Sequence, residues 1–366
     1  MTRRPLLRRL ATVTATATAI GAALALLAAC SSSSGSAPGS STTPEPASSG
    51  SVSPAAAGTD LSGVTLKIGE TGWKQQQLLL EKAGLADTPY GTEFSLFQGG
   101  NLQLEALGAG AIDLASASEI PPIFAAQSGG PGSLAIIAVR EGNTLTQEIV
   151  APEGSDIKDA AGLKGKKVAY VQNTTAHYFL LKALESAGLS WSDIEAVPLS
   201  TSDGLAALLS GQVDALASYG NAIISAHAKG ATTVVDARDI LSGNFVYVST
   251  PAIAEDPAKH AAIADYFSRL QRAFNWARAN PDAWAAVIAE QTKQPVDQAL
   301  ATFTEGEAQR PSKFVPTSDA AIASQQDILD TFVKAGILGS TFQIGDFWSE
   351  SFDPELTAIE GEYVNG

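Results

Sequence analysis

The segment from Leu80 to Ser116 recurs, in outline, from Leu184 to Ala217. The first copy opens Leu80-Glu81-Lys82-Ala83-Gly84-Leu85 and closes Gly110-Ala111-Ile112-Asp113-Leu114-Ala115. The second opens Leu184-Glu185-Ser186-Ala187-Gly188-Leu189 and closes Gly211-Gln212-Val213-Asp214-Ala215-Leu216. Each copy reads as helix, Gly-Leu stop, strand, helix, Gly-x-(Ile/Val)-Asp turn and strand. A duplicated α/β unit predicts two similar lobes, and facing lobes enclose a cleft, a favoured place for a ligand.

The pattern around the copies extends this frame. Strands are predicted at Val64–Gly69, Glu93–Gln98, Ile112–Ser116 and Ser133–Val139, each followed by helical spacing or a crossing. Thr146–Ala151 reads as a crossing strand into the second lobe. There Lys167–Val171, Ile194–Leu199, Val213–Ser218 and Thr232–Asp236 are the predicted strands. Phe245–Ser249 reads as the crossing back. From Asp256 onward the spacing is helical, over Ala261–Ala279, Asp282–Gln291, Val296–Glu305 and Asp319–Lys334, with Gly336 as the last stop. The expected organisation is residues 60–147 plus 248–352 as the first lobe, 148–247 as the second, and 353–366 as a C-terminal tail.

The N-terminus reads as an export signal. Arg3, Arg4, Arg8 and Arg9 precede an apolar, small-residue stretch, and Leu27-Ala28-Ala29-Cys30 matches a bacterial lipobox. Residues 1–29 are therefore expected to be a signal peptide and Cys30 a lipidation site that holds the chain on the extracytoplasmic face of the cell membrane without spanning it. The Arg8-Arg9 pair leaves the choice of export route open. Residues 30–59 are rich in Ser, Pro, Gly, Ala and Thr and read as a flexible tether. Cys30 is the only cysteine, so neither a thiol nucleophile nor a disulfide is expected in the folded part. Net charge is −15, and loss of the four leader arginines takes it to −19, which argues against nucleic acid as a partner. No metal site and no cofactor motif are read from the sequence.

Four segments carry a resemblance to a known family: Gly110-Ala111-Ile112-Asp113 running into Ser118-Glu119-Ile120-Pro121-Pro122-Ile123-Phe124-Ala125; Leu163-Lys164-Gly165-Lys166-Lys167-Val168-Ala169; Asn173-Thr174-Thr175-Ala176-His177; and Gly211-Gln212-Val213-Asp214-Ala215. Over roughly residues 61–352 the chain resembles the type II periplasmic binding proteins, in the branch serving aliphatic sulfonate, taurine and nitrate uptake. The resemblance implies an α/β two-lobed clamshell, each lobe a mostly parallel sheet flanked by helices, with two crossover segments. It implies a monomer that binds a small organic anion between the lobes and delivers it to a membrane ABC permease with its ATPase. Nitrate or a thiamin-pyrimidine-like precursor are alternative ligands, and an enzyme on the same fold is a further alternative. Where sulfonate binders continue the second repeat with Trp-Asp-Pro, this chain has Ser218-Tyr219-Gly220-Asn221.

In sheets of this kind ligands sit beyond the carboxyl ends of the strands, so the candidate binding residues follow strands. Gly72 permits close backbone approach, and Trp73 is either a wall for an organic tail or a core aromatic. Ser116 and Ser118 are hydroxyl donors; Glu119 would cap its helix or meet a ligand amine. Asn143 and Thr144 sit near the first crossing. Asn173, Thr174 and Thr175 open a helix, where free N–H groups attract an anion, although a Thr there also serves as an ordinary cap. His177, one turn in, is an anion donor if protonated or else a packed residue. The resemblance implies that Tyr219 and Asn221 face the cleft. Asp113 and Asp214 are expected to hold local turns, not to act on a ligand.

Overall fold

The structure, a computed structural model, describes residues 59–364. The expected signal peptide, the lipidation site Cys30 and all but the last residue of the expected tether lie outside the described residues.

The chain begins with β1 (Thr65–Thr71), α1 (Gln75–Lys82), β2 (Gly91–Phe97), α2 (Gly100–Gly108), β3 (Ala115–Ser118), α3 (Pro121–Gly129) and β4 (Ala135–Glu141). It crosses through β5 (Gln147–Ala151) into β6 (Lys167–Tyr170), α4 (Thr175–Ser186), β7 (Glu195–Pro198), α5 (Thr201–Leu209), β8 (Ala215–Tyr219), α6 (Asn221–His227) and β9 (Thr232–Asp236). It returns through β10 (Asn244–Ser249) to α7 (Pro251–Glu255), α8 (Pro257–Ala279), α9 (Pro281–Thr292), α10 (Val296–Gln309), β11 (Lys313–Val315), α11 (Asp319–Lys334) and α12 (Asp353–Glu360).

The two lobes share one strand order. In the second, the order is β7-β6-β8-β5-β9, with β6 parallel to β7 and β8 and the crossing strand β5 antiparallel to both its neighbours. In the first, β2 pairs with β1 in parallel, and a bridge between Ile68 and Leu114 joins β1 to the strand order β3-β10-β4-β11, with β10 antiparallel to its neighbours. Numbered by function, each lobe runs second, first, third, crossing, fourth strand.

The repeated phrases have the same physical task in both copies. Gly84 and Gly188 take the left-handed conformation, at φ 69° and 70°, and let the next N–H turn back: Leu85 N donates to Leu80 O (2.8 Å) and Leu189 N to Leu184 O (2.9 Å). These are helix C-terminal stops that a side chain would strain. The aspartates close the other end of the unit. Lys67 N donates to Asp113 Oδ2 (2.9 Å), and Lys167 N donates to Asp214 Oδ2 (2.7 Å). Asp113 N and Asp214 N in turn donate to Lys67 O and Lys167 O (2.7 and 2.8 Å). Each aspartate thus fixes the register of the lobe's third strand against its first, a bond to a distant strand where the sequence suggested a local turn.

Two boundaries differ from the sequence reading. β10 already belongs to the first sheet from Asn244, so the chain has returned before residue 248. The expected tail from 353 begins with α12, whose Leu356 and Ile359 are buried with Phe352 against α8. A helix with one apolar face is held by that burial, at about 1.5–3 kcal/mol for each large side chain. Three short elements, β11, α6 and α7, have no counterpart in the sequence reading. Among the described residues no helix is long and apolar enough to cross a membrane.

Candidate functional site

Strand alternation in the first lobe sends one set of residues to each face of the sheet. Ala115, Ala117, Val139, Val246 and Val248 face the core that contains α3 and α11. Their neighbours, Ser116, Ser118, Arg140, Phe245 and Tyr247, face the other way, toward α8. Glu70 shares this second face, because Leu66 and Ile68 of the same strand pack there. At the carboxyl ends of β1, β3 and β4 this face is not filled. A cavity of about 360 Å³ opens between it, the helices α8, α9 and α10, and the second lobe.

The cavity lining is mixed: a polar set at the strand ends and on the second lobe, here the mouth, and an aromatic and aliphatic set, here the chamber, with Glu70, Gln294 and Glu307 also in the wall. Ser116, Ser118, Arg140, Asn143, Gln147, Thr174, Thr175, Tyr219 and Asn221 line the mouth. Trp73, Leu79, Phe274, Trp284, Ile288 and Phe303 line the chamber, with Trp73 and Trp284 in ring contact at 5.9 Å. The strand ends are braced from behind. The Gln103 side chain donates to Thr71 Oγ1 (2.7 Å) and to Ser116 O (2.8 Å), while Ser116 N donates to Gln103 Oε1 (2.8 Å).

Arg140 is the one cation in the cavity wall among the described residues. Its guanidinium lies over the ring of Phe245 at 4.4 Å and near that of Phe274 at 5.7 Å. Its hydrogen bonds are two long ones, to Glu141 O and Ser312 Oγ, both 3.5 Å. The nearby Glu307 carboxylate is engaged by Arg278 at 2.9 Å. Desolvation lowers the Arg140 pKa, yet the group stays protonated at any physiological pH. An arginine stacked on aromatic rings with its donors turned to a cavity is arranged to take an anion.

The second lobe offers a helix end. Thr174 is the N-cap of α4 in an extended conformation, but its hydroxyl donates backward to Val171 O (2.7 Å) and makes no cap bond. The cap reading of this threonine therefore does not hold, and the first N–H groups of α4 are not closed off by a side chain. They and the Thr175 hydroxyl stand beside the cavity, where the helix dipole favours negative charge. The lobes touch at one edge of the mouth. Thr201 Oγ1 donates to Gln98 Oε1 (2.6 Å), and Tyr219 Oη donates to Gln98 O (3.4 Å). A Cβ at Gly99 would lie 2.7 Å from both Tyr219 Oη and Asn101 Oδ1, so a glycine suits this crowded edge.

Of the residues singled out in the sequence, Gly72, Trp73, Ser116, Ser118, Asn143, Thr174, Thr175, Tyr219 and Asn221 meet at this cavity. The other four lie elsewhere. His177 is 2% exposed in a cage of Phe124, Tyr170, Trp191 and Phe332, with ring distances of 4.8–6.1 Å. Burial pushes its pKa down to about 4, so the ring is neutral, and its Nδ1 accepts the N–H of Asn173 (3.3 Å). Asn173 is spent on that turn, in a left-handed conformation at φ 60°. Glu119 accepts hydrogen bonds from Ser242, from Asn244 Nδ2 (3.3 Å) and from Ser324 Oγ (3.1 Å), which fastens the returning segment to the first lobe. Thr144 N donates to Gln309 Oε1 (3.1 Å) at the crossing. Two residues that the sequence reading passed over, Arg140 and Glu70, line the cavity. Both carried a signal: a charge standing in the inward register of a strand. Among the described residues no group of three or more His, Cys, Asp or Glu is gathered for a metal ion.

Comparison with known proteins follows the same outline. Residues 94–284 match the family described as NMT1/THI5 like. A protein of Escherichia coli (strain K12) named for aliphatic sulfonate binding is 31% identical over 239 residues, which is 65% of this chain and 73% of its own length. The crystal structure of the Escherichia coli periplasmic aliphatic sulphonate binding protein SsuA superimposes with a TM-score of 0.67 at 28% identity, covering 78% of this chain and 92% of that one. The alkanesulfonate-binding protein SsuA of Xanthomonas axonopodis pv. citri, solved bound to MOPS, gives 0.69 at 26% identity over 78% and 98% of the two chains. The desulfurization enzyme DszB shares the fold alone, at 18% identity and a TM-score of 0.55 over 80% of this chain and 99% of that one.

Proposed function

The chain belongs to the NMT1/THI5-like family, and on that premise we propose that it is the extracytoplasmic solute-binding lipoprotein of an ABC importer, taking an organic sulfonate between its lobes. The observation that carries this reading is the pairing of Arg140, without an ion pair among the described residues, with the uncapped start of α4 on a single cavity wall. The tetrahedral oxygens of a sulfonate suit both a guanidinium fork and helix N–H donors. The volume supports an organic tail. About 360 Å³ lies within the usual range of small-molecule sites, and nitrate would leave most of it empty. The apolar chamber favours the tail over water.

In this reading the ligand touches both lobes and stabilises their closed arrangement, which the permease and its ATPase recognise. The Gln98 contacts to Thr201 and Tyr219 belong to that arrangement. Lipid on Cys30 holds the protein beside the permease, and a Cys30→Ala variant is expected in the soluble instead of the membrane fraction. With that cysteine given to the anchor, the chain has no thiol for desulfinase-type chemistry. The reading is tested by thermal denaturation against a panel of alkane- and arenesulfonates. At 100 times Kd a true ligand stabilises by about 2.7 kcal/mol. Absence of any stabilisation across the panel would refute the reading.

A further inference from the structure

We propose that α10 couples the ligand's tail to lobe closure: a sulfonate head binds at Arg140 by itself, and a bulky apolar tail, by its contact with α10, sets the hinge for closure. The inference rests on the sulfonate reading above and selects, within it, ligands whose tails fill the chamber.

The two segments that cross between the lobes touch each other. Gly142 N donates to Gly243 O (3.0 Å), and Gly243, at φ 75°, lies so close that a Cβ there would be 2.5 Å from Gly142 O. The end of α10 fastens both crossings. Gln309 Oε1 accepts from Thr144 N (3.1 Å) on the first. The Arg310 guanidinium donates to Glu141 Oε1 (2.9 Å), where the first crossing starts, and to Ser242 O and Asn244 Oδ1 (3.0 Å for the latter) on the second. Gly306 lays its backbone against Asn143, where a Cβ would meet Nδ2 at 2.5 Å. Rotation of one lobe on the other changes the angle between these segments, so it must break these bonds or carry the end of α10 with it.

The same side of the helix continues into the chamber. Ala299, Thr302 and Phe303 line the cavity, and Gly306, Gln309 and Arg310 follow them at the three- and four-residue spacing that keeps side chains on one side of a helix. Phe303 and Arg310 are two turns apart, about 10 Å along the axis. Between them Glu307 is paired with Arg278 of α8 (2.9 Å), a fixed point about which α10 can tilt. The helix packs chiefly on α9, through a small core of Ala285, Ala289 and Ala299 with Ile288 and Leu300. A helix so lightly held takes its position from what it rests on at its two ends, and close packing makes it shift as a unit. A tail against Thr302 and Phe303 therefore biases the crossings, whereas a head without a tail leaves those residues untouched.

Arg310 itself is outside the cavity wall, which makes it the position to test. Ethane-1-sulfonate and naphthalene-2-sulfonate are titrated calorimetrically into the wild type and Arg310→Gln, and small-angle scattering is recorded on each saturated wild-type complex. In the wild type the naphthalene complex should have the smaller radius of gyration. Arg310→Gln should weaken naphthalene-2-sulfonate by roughly fivefold or more and leave ethane-1-sulfonate nearly unchanged; an arginine that served only the fold would shift both alike. Equal radii of the two wild-type complexes overturn the proposal without help from the variant, and so does a variant in which both affinities change by the same factor or neither changes. Binding of naphthalene-2-sulfonate with none of ethane-1-sulfonate also overturns it, because the head is then not held alone. In each of those cases the sulfonate reading stands. If no sulfonate binds, that reading falls and this one with it.

Discussion

Replacing Arg140 by methionine separates the ligand's needs from the fold's needs. Methionine keeps an unbranched apolar stem against Phe245 and Phe274, where the guanidinium now lies at 4.4 and 5.7 Å. What is lost is the charge. In the ligand-free protein that charge is desolvated and has only two long hydrogen bonds beside its stacking on Phe245, so its removal should cost little. In the complex it faces a sulfonate inside a closed cleft, and deleting one side of such a pair costs about 2–5 kcal/mol. A mid-range value of about 3 kcal/mol weakens binding roughly 100-fold. The assay is calorimetric titration with an alkanesulfonate that binds the wild type, with a thermal melt of each protein alone. The expected result is a melting temperature close to wild type and a Kd raised about two orders of magnitude. A variant that binds as well as the wild type would show that Arg140 does not hold the anion. A variant that melts much lower would show that the arginine serves the core.

Three other outcomes follow from the same geometry. Thr175→Pro should weaken binding by roughly tenfold beyond Thr175→Val, because proline at the first helical position removes one N–H at little cost to the helix; Thr174 before it is already extended, and equal affinities of the two variants would take the helix end out of the site. Gly99→Ala puts a Cβ 2.7 Å from Tyr219 Oη and should resist closure; small-angle scattering with saturating ligand should then give a larger radius of gyration than wild type, and an identical radius would deny the contact that role. His177, buried and held neutral with its pKa near 4, stays uncharged in the fold while the unfolded chain takes up a proton below about 6.5. Its contribution is therefore present above pH 6.5 and lost as pH falls toward 4, by up to about 3 kcal/mol; denaturant midpoints should fall less steeply over that window in His177→Phe, and parallel profiles would contradict the assignment.

The scaffold was readable because the residues that define it act locally or close a repeated unit. Gly84 and Gly188 end helices by their own backbone conformation and so act locally; Asp113 and Asp214 leave the same short phrase twice although their bonds reach a strand 46 and 47 residues earlier, because the unit they close is itself repeated. The mouth of the cavity was readable in part from position along the strands: Gly72, Thr175 and Asn221 come after strands, while Ser116, Ser118 and Tyr219 lie in the carboxyl-terminal parts of β3 and β8. His177 read as a possible donor because spacing shows that it lies one turn into α4, not which side of the helix it faces; Tyr170, Trp191 and Phe332, which hold it, come from three other places in the sequence. The chamber was hidden for a stronger reason. Its roof is Phe274, Trp284, Ile288 and Phe303, on three helices whose docking depends on long-range packing. Glu70 and Arg140 were open to notice, each being a charge in the buried register of a strand, but that both line a cavity depends on that roof.

The central claim is that the interlobe cavity takes an organic anion by its charged head. Calorimetric titration of the wild-type protein with octane-1-sulfonate, octan-1-ol and octylammonium tests it most directly, because the tail is constant and only the head changes. The account predicts one-to-one binding of the sulfonate and at least 100-fold weaker binding of the alcohol and of the cation without a sulfonate. Equal binding of sulfonate and alcohol, or tighter binding of the cation, would contradict it.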